Sequence, residues 1–377
     1  MNILIVTVLQ PHAPSGVVTY YQTLAKDLAG EGVRAQVIDS SGTPWLWRRF
    51  LGLVRRVMRL FGNGGEALYH EFADFVSMYL TIKLAKPGLP DVIHAQDPKS
   101  GAATFLALGK RVPVVLTCHF NDDPVVELLE RYGAGTRSKG LLNRWYRYLF
   151  SHINDYVFVS DYTYAKTRHL LPTSVNKVII RNTVGYTRSA ERQPDTTANP
   201  LIISNVGFVD ERKNQKLLIQ IGSTLYQRGL RDFVIWIIGD GPKRSEYEQL
   251  AGEYGIAQQV RFHGRQQAPW KLVEQSDIYV HTATNDNCPY SIIEAFAVQT
   301  PVLALPVGGI PEMLPTGYGL LQGTAPDQLA DEIATYFDPA KRHELTQRQR
   351  VHADQHFNHG TSLSRLVSFY HQTRIAA

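Results

Sequence analysis

Residues 285–314, NDNCPYSIIEAFAVQTPVLALPVGGIPEML, place two carboxylates, Asp286 and Glu294, on either side of Pro289-Tyr290-Ser291. A helical pattern follows over 291–298, and the backbone N–H groups at such a helix start can hold a diphosphate without help from side chains. Each polar residue also has a plainer reading. Asp286 could cap a turn, and Glu294, read as lying in the first helical turn, could only balance the helix dipole. Lys213 in a polar loop is by default a solvated lysine, and a lone histidine at a strand end, His119, is more often structural than reactive. His352 and His356 stand four apart on a helical pattern, the spacing of a metal pair, but no third ligand is near and a solvated face is the better reading. Asp122 and Asp123 are adjacent and do not form an Asp-x-Asp metal motif. The turn after the first strand reads QPHAPSG, with no G-x-G-x-x-G and no P-loop, which argues against a dinucleotide-dependent enzyme.

These residues need a scaffold, and 377 residues suit two domains of comparable size. Hydrophobic residues make up 44% and charged residues 19%, a globular composition with material for two cores. Strand patterns fall at 2–9, 35–39, 91–96, 112–119, 155–160 and 178–184, with a helix over 16–30 among the segments between them. The polar stretch 186–200, YTRSAERQPDTTANP, reads as a linker. The alternation then restarts, with strands at 201–208, 233–238, 259–262, 278–281 and 301–305. Helices are expected at 214–228, 243–254, 269–275, 291–298 and 361–374. Alternating strands and helices predict parallel sheets. The expected organisation is therefore a domain over 1–185, a linker, a second domain over 201–360 and a last helix over 361–377 that packs back on the first domain. A ligand is expected in the cleft between the domains.

Several ordered matches carry a resemblance. Asp286-x(7)-Glu294 is followed by Glu294-Ala295-Phe296-Ala297, Thr300-Pro301-Val302 and Gly308-Gly309-Ile310-Pro311-Glu312. Upstream stand Gly239-Asp240-Gly241-Pro242, Val260-Arg261-Phe262-His263-Gly264, the Val206-Gly207 to Lys213 loop, Pro14-Ser15-Gly16-Val17 and the 114–119 strand ending in His119. In these features the chain resembles the retaining glycosyltransferases of family 4, which have the GT-B fold, and the likeness is weakest over 45–80 and 120–150. It implies an α/β protein of two Rossmann-like, doubly wound domains facing each other across a donor cleft. It assigns Gly16 to close backbone approach to the donor phosphates and Lys213 to the departing diphosphate. Asp286 goes to sugar hydroxyls, and the N–H groups of Ser291 and Ile292, after Pro289 and Tyr290, to phosphate. Glu294 goes to the ribose, Gly241 to donor binding, Arg265 to the base, and His119 to the reacting sugar. A phosphate oxygen of the leaving nucleotide takes the acceptor's proton, so no protein base is required. Neither metal nor cofactor is implied, and a UDP-sugar is favoured over a GDP-sugar. Three departures stand out: Phe208 where the family has Arg, with Arg212 as the replacement cation; Asp286 where Glu is commoner; and Ser15 in place of the first of two glycines.

Residues 45–61, WLWRRFLGLVRRVMRLF, form the other unusual feature. At 100° per residue Arg48, Arg49, Arg55, Arg56 and Arg59 share one face, opposite a broad apolar face, with no acid between. Such a helix fits an anionic membrane interface, and it also fits a domain helix packed on its sheet. The interfacial reading goes with a glycan or lipid-linked acceptor. The net charge of +5 comes with no nucleic-acid motif, so no nucleic acid is expected. The first residues read as a buried strand and not as a signal peptide, and Cys118 and Cys288 suggest no disulfide framework. The expected location is the cytoplasm, at the inner membrane face. Two other readings of the same architecture are a non-catalytic nucleotide-sugar-binding scaffold and a nucleotide-sugar epimerase.

Overall fold

The computed structural model describes residues 1–13, 15–153, 155–186 and 200–376. It divides into two units, Met1–Arg181 with Gly360–Ala377, and Asn182–His359. Pro14 and the 187–199 part of the polar linker lie outside the described residues. The boundary falls after residue 181 and not after 185. Asn182 Nδ2 donates to Cys288 O at 2.8 Å and Thr183 Oγ1 meets His359 Nδ1 at 2.9 Å, which ties both residues to the second unit.

The first unit is built on β1 (Asn2–Thr7), β2 (Arg34–Asp39), β3 (Val92–Ala95), β4 (Val114–Cys118), β5 (Asp155–Phe158) and β6 (Asn176–Ile179). All pair in parallel, in the order β2-β1-β3-β4-β5-β6. Both faces of a parallel sheet are covered, so its inner strands β1, β3 and β4 are buried nearly throughout, while the edge strands β2 and β6 carry exposed polar residues. In β1, Ile3 and Ile5 join one core and Leu4 and Val6 the other. The first core also takes Leu24 and Leu28 from the Gly16–Gly30 helix, and Leu366, Phe369 and Tyr370 from the His359–Ala376 helix. The strand expected at 178–184 is instead Asn176–Ile179. Its last ladder bond is Ile180 N–H to Phe158 O at 2.9 Å, and Asn182 already belongs to the other unit.

The second unit holds β7 (Leu201–Val206), β8 (Phe233–Ile238), β9 (Val260–Gly264), β10 (Ile278–His281) and β11 (Val302–Ala304), parallel in the order β11-β10-β7-β8-β9. Its core packs Leu218, Ile219 and Leu225 of the Gln215–Gln227 helix against Ile203, Ile235 and Ile237. Each unit is thus an α/β layer fold of the Rossmann kind.

Residues 45–61 fold as a helix, Trp45–Met58, continued by a 3₁₀ turn, Arg59–Phe61. One apolar stripe is used: Leu51 is buried, and Val54 and Met58 pack with it against Tyr69 and Ala73 of the Gly62–Ala85 helix. The acid-free basic face is corrected at two positions. Glu66, just beyond the segment, takes Arg55 at 2.6 Å and Arg59 at 3.4 Å. Arg48 donates to Ser41 O, and Arg49 lies over the Trp45 ring at 5.7 Å. The rest of the apolar face stays open to solvent, with Trp45 62% and Leu60 83% exposed. Among the described residues, no helix is long and apolar enough to cross a membrane.

Candidate functional site

In the second unit the chain runs outward from β7 to β8 and β9, then returns to β10 on the other side of β7. Ligands of open α/β sheets bind beyond the carboxyl ends of the strands at such a reversal. The loops after β7 and β10 meet there. Asp210 Oδ1 accepts from Lys213 N–H at 2.8 Å, and Asn214 turns left-handed with φ 54° before the next helix begins. The opposing loop is fastened to this one: Thr284 N–H donates to Arg212 O at 2.8 Å and Thr282 Oγ1 donates to Lys213 O at 3.0 Å. Lys213 Nζ then donates to Asp286 Oδ2, and the Arg212 guanidinium stands 3.9 Å from the same carboxylate.

Glycines make this convergence possible. Gly308 sits at φ 56°, and a Cβ there would lie 1.9 Å from Asp286 O, so the Gly308–Gly309 turn holds the Asp286 backbone directly. A Cβ on Gly241 would meet Val209 O at 2.4 Å, so in this structure Gly241 serves the close packing of two loops.

Asp286 is buried, which alone would raise its pKa. Lys213, His281 and Arg212 outweigh that and hold the carboxyl well below its ordinary range. His281 closes β10 directly behind it, with Nε2 3.3 Å from Asp286 Oδ2 and Nδ1 3.1 Å from Tyr279 Oη. Tyr279 donates in turn to Ser291 Oγ at 2.8 Å. Burial lowers the His281 pKa, with Lys213 and Arg212 adding to the effect and Asp286 opposing it.

The following helix is Tyr290–Ala297, preceded by Pro289 in extended backbone (φ −66°, ψ 133°). Glu294 is therefore its fifth residue and not a first-turn acid; no acidic side chain occupies the first turn. Within that turn the Ile292 N–H points at Pro289 O, 3.3 Å away, and the Ser291 side chain is buried. Glu294 is also mostly buried, which raises its pKa to about 7, while a hydrogen bond from Tyr186 lowers it. Tyr186 Oη donates to Glu294 Oε1 at 3.1 Å, and its ring stacks on Trp270, centroids 5.1 Å apart at 27°. Arg265 follows β9 directly and is exposed.

The first unit has its own polar group at the carboxyl ends of β3 and β4. Gln96 Oε1 accepts from His119 Nε2 at 3.1 Å, which places the proton on Nε2. The Tyr20 ring meets His119 edge-on at 4.8 Å. Behind them His94 joins Thr117 Oγ1 at 2.7 Å and Tyr370 Oη at 2.6 Å. Burial brings both His94 and His119 down to about 3, and His119 adds to the effect on His94. Gly16 opens the first helix, and Ser15, a departure from the family pattern, is that helix's N-cap, accepting from Val17 N–H at 3.3 Å.

The sequence-predicted residues thus fall into separate groups. Arg212, Lys213 and Asp286 form one cluster, Glu294 is bonded to Tyr186, and Gly16 and His119 belong to the other unit. Sequence reasoning missed His281, Tyr279, Gln96 and Tyr186. His281 is the last residue of β10, as His119 directly follows β4, and that position at the strand's carboxyl end was the available signal. His352 and His356 lie with rings 4.4 Å apart, and among the described residues no group of three His, Cys, Asp or Glu side chains gathers as a metal site.

Comparison with known proteins covers most of the chain. Residues 188–352 match the model of Glycosyl transferases group 1, and residues 14–184 that of Glycosyltransferase Family 4. A D-inositol 3-phosphate glycosyltransferase of Corynebacterium efficiens is 29% identical over 207 residues, 52% of this chain and 49% of that one. The lipopolysaccharide core biosynthesis glycosyltransferase LpsE of Rhizobium meliloti is 28% identical over 110 residues, 29% and 31% of the two chains. The matches thus span about a third to a half of the length of these curated relatives. Two solved structures share the fold at 18% identity. Sucrose-phosphate synthase from Thermosynechococcus elongatus has a TM-score of 0.74 over 100% of both chains. HepE of Anabaena, in complex with UDP and glucose, has 0.69 over 98% of both.

Proposed function

The chain belongs to the GT-B glycosyltransferases of the family 4 type, and from that premise we propose that it transfers a sugar from a UDP-sugar to a glycan or lipid-linked acceptor with retention of configuration. One observation carries the reading: Lys213, Arg212 and Asp286 converge at the strand-order reversal of the second unit, where a bound anion would replace the lysine's present partner. Lys213 and Arg212 neutralise the diphosphate as it leaves, a charge that develops in the transition state. Asp286, kept ionised, accepts from sugar hydroxyls once the ammonium is shared with phosphate. Glu294 accepts from the ribose in place of the Tyr186 hydroxyl. His119, kept neutral, hydrogen-bonds the reacting sugar. No metal ion enters the scheme, and a phosphate oxygen takes the acceptor's proton. The bound UDP in HepE favours uridine as the base.

The acceptor is proposed to be membrane-associated, in polysaccharide or glycolipid synthesis, with residues 45–61 resting on an anionic cytoplasmic leaflet. The exposed apolar face of that segment, flanked by Arg48, Arg49 and Arg56, supports this.

A thermal-shift screen against UDP, GDP, ADP and their sugar conjugates tests the donor. Uridine ligands should stabilise the protein by mass action, and Lys213→Ala should abolish the shift. No shift with any nucleotide in a folded protein would sink the transferase reading and favour a scaffold, with exposed Phe208 the first position to examine.

A further inference from the structure

Beside the Trp45–Met58 helix the first unit encloses an open cavity of about 500 Å³. Val54 and Met58 form one wall, Phe72 of the Gly62–Ala85 helix a second, and Leu141 and Trp145 of the Lys139–Phe150 helix a third. The lining is almost wholly apolar, and its volume lies within the ~300–1,000 Å³ range of small-molecule sites. Phe72 and Leu141 line it and are more than half exposed, and Leu53, Val57 and Leu60 are exposed on the helix that supplies Val54 and Met58 and on the turn that continues it. Packing has therefore left a concave greasy surface open, where a monomeric protein would normally fill or cover it.

The charges around it are of one sign. The Trp45–Met58 helix carries four arginines and no acid, and the Lys139–Phe150 helix carries Lys139, Arg144 and Arg147 and no acid. On the third helix Glu66 is occupied by Arg55 and Arg59, and Glu71 and Asp74 by Lys99. Arg144 lines the cavity itself, exposed, with no hydrogen bond or ion pair among the described residues. Its three-carbon stem can lie along apolar surface while its guanidinium meets an anion.

We propose that this cavity binds the hydrocarbon chain of a phosphate-bearing membrane lipid, with Arg144 at its mouth holding the phosphate. The assignment rests on the membrane-associated acceptor proposed above and deepens it. The chain enters the protein, whereas the 45–61 face only lies on the leaflet. A lipid fits better than an apolar protein segment, because the open aromatic and aliphatic surface around the mouth is interleaved with unneutralised arginines, the composition of an interfacial surface.

The test uses decyl phosphate below its micellar concentration, so that no vesicle is needed. It is read as the change in tryptophan emission in a Trp45→Phe/Trp47→Phe background, where Trp145 lines the cavity and Trp236 and Trp270, in the second unit, give a constant signal. Saturable binding of one molecule per chain is expected. Phe72→Asp/Leu141→Asp, at exposed positions that leave the core intact, should weaken it by about tenfold or more, since a chain cannot desolvate those carboxylates cheaply. Arg144→Gln should weaken decyl phosphate binding about threefold and leave decanol binding unchanged. The UDP-induced thermal shift, read on every variant, reports folding and the donor site separately. A folded protein that responds to UDP but binds no decyl phosphate overturns the cavity and spares the transferase reading; the opposite result does the reverse. Equal binding by the Phe72→Asp/Leu141→Asp variant, or a dimer in sedimentation velocity that this variant dissociates, would also overturn the lipid assignment, the latter by seating a second copy there.

Discussion

The two sheets share a parallel architecture and present polar side chains beyond their carboxyl edges, yet they keep those groups in opposite electrical states. In the second unit Asp286 is buried against Lys213, Arg212 and His281, and opposing charge holds it ionised. In the first, His119 and His94 are surrounded by neutral partners, Gln96, Thr117, Tyr20 and Tyr370, and burial holds them uncharged. The lesson is that burial by itself favours the neutral form, and only a counter-charge overrides it. Lys213 and Arg212 make a buried carboxyl a fixed ion, and where no counter-charge stands nearby burial keeps the group neutral.

Removing the counter-charge should break the contrast most visibly. Lys213→Ala leaves Asp286 buried without its main partner and should cost about 3–5 kcal/mol of stability in urea unfolding. Adding Asp286→Asn should recover most of that. A loss under 1 kcal/mol would mean that Asp286 is solvated and no fixed ion.

Glu294 sharpens the comparison, because it is a second-unit carboxyl with no cation beside it. Its folded pKa of about 7 stands above the ordinary 4.5, so the folded protein binds this proton more tightly than the unfolded chain. The associated stability is full below 4.5 and is lost as pH rises through 7. In the proposed role the ionised Glu294 accepts from ribose hydroxyls, so nucleotide affinity should climb by up to about tenfold per pH unit up to 7 and then level off. Calorimetric titration from pH 5 to 8 measures this, and Glu294→Gln should flatten the profile.

The smallest effect is expected from the neutral group. In a histidine-selective NMR titration the ring signals of His94 and His119 should not move between pH 5 and 8. A midpoint near 6.5 for either would erase the distinction between the two edges.

Much of this was legible from residue types alone. The strands at 233–238 and 278–281 and the helix at 16–30 appear at the expected bounds, because apolar runs set off by glycine and polar residues leave little freedom. What failed to show was contact between residues distant in sequence. Glu66 lies outside the window that made residues 45–61 look acid-free, so its hold on Arg55 and Arg59 could not be read. Tyr186 opens a stretch whose composition says linker, yet its ring finds Trp270 and its hydroxyl finds Glu294, 108 residues away. Ser15 looked like a lost glycine, and its hydroxyl caps the helix that the glycine loop introduces. His281 carried no motif, and its partnership with Asp286 arises only where the β10 loop folds back.

The helix from His359 to Ala376 returns to the first unit, where Tyr370 bonds His94. The second unit is therefore a continuous insertion within a discontinuous one. Domain-wise folding therefore has different requirements in the two. Residues 182–359 are contiguous and hold every strand of their own sheet, whereas the sheet begun at Asn2 needs residues beyond 359 to cover its β1 face and to give the buried His94 a second hydroxyl partner besides Thr117. A chain truncated before residue 360 should keep the second unit's core and leave the first unit's open.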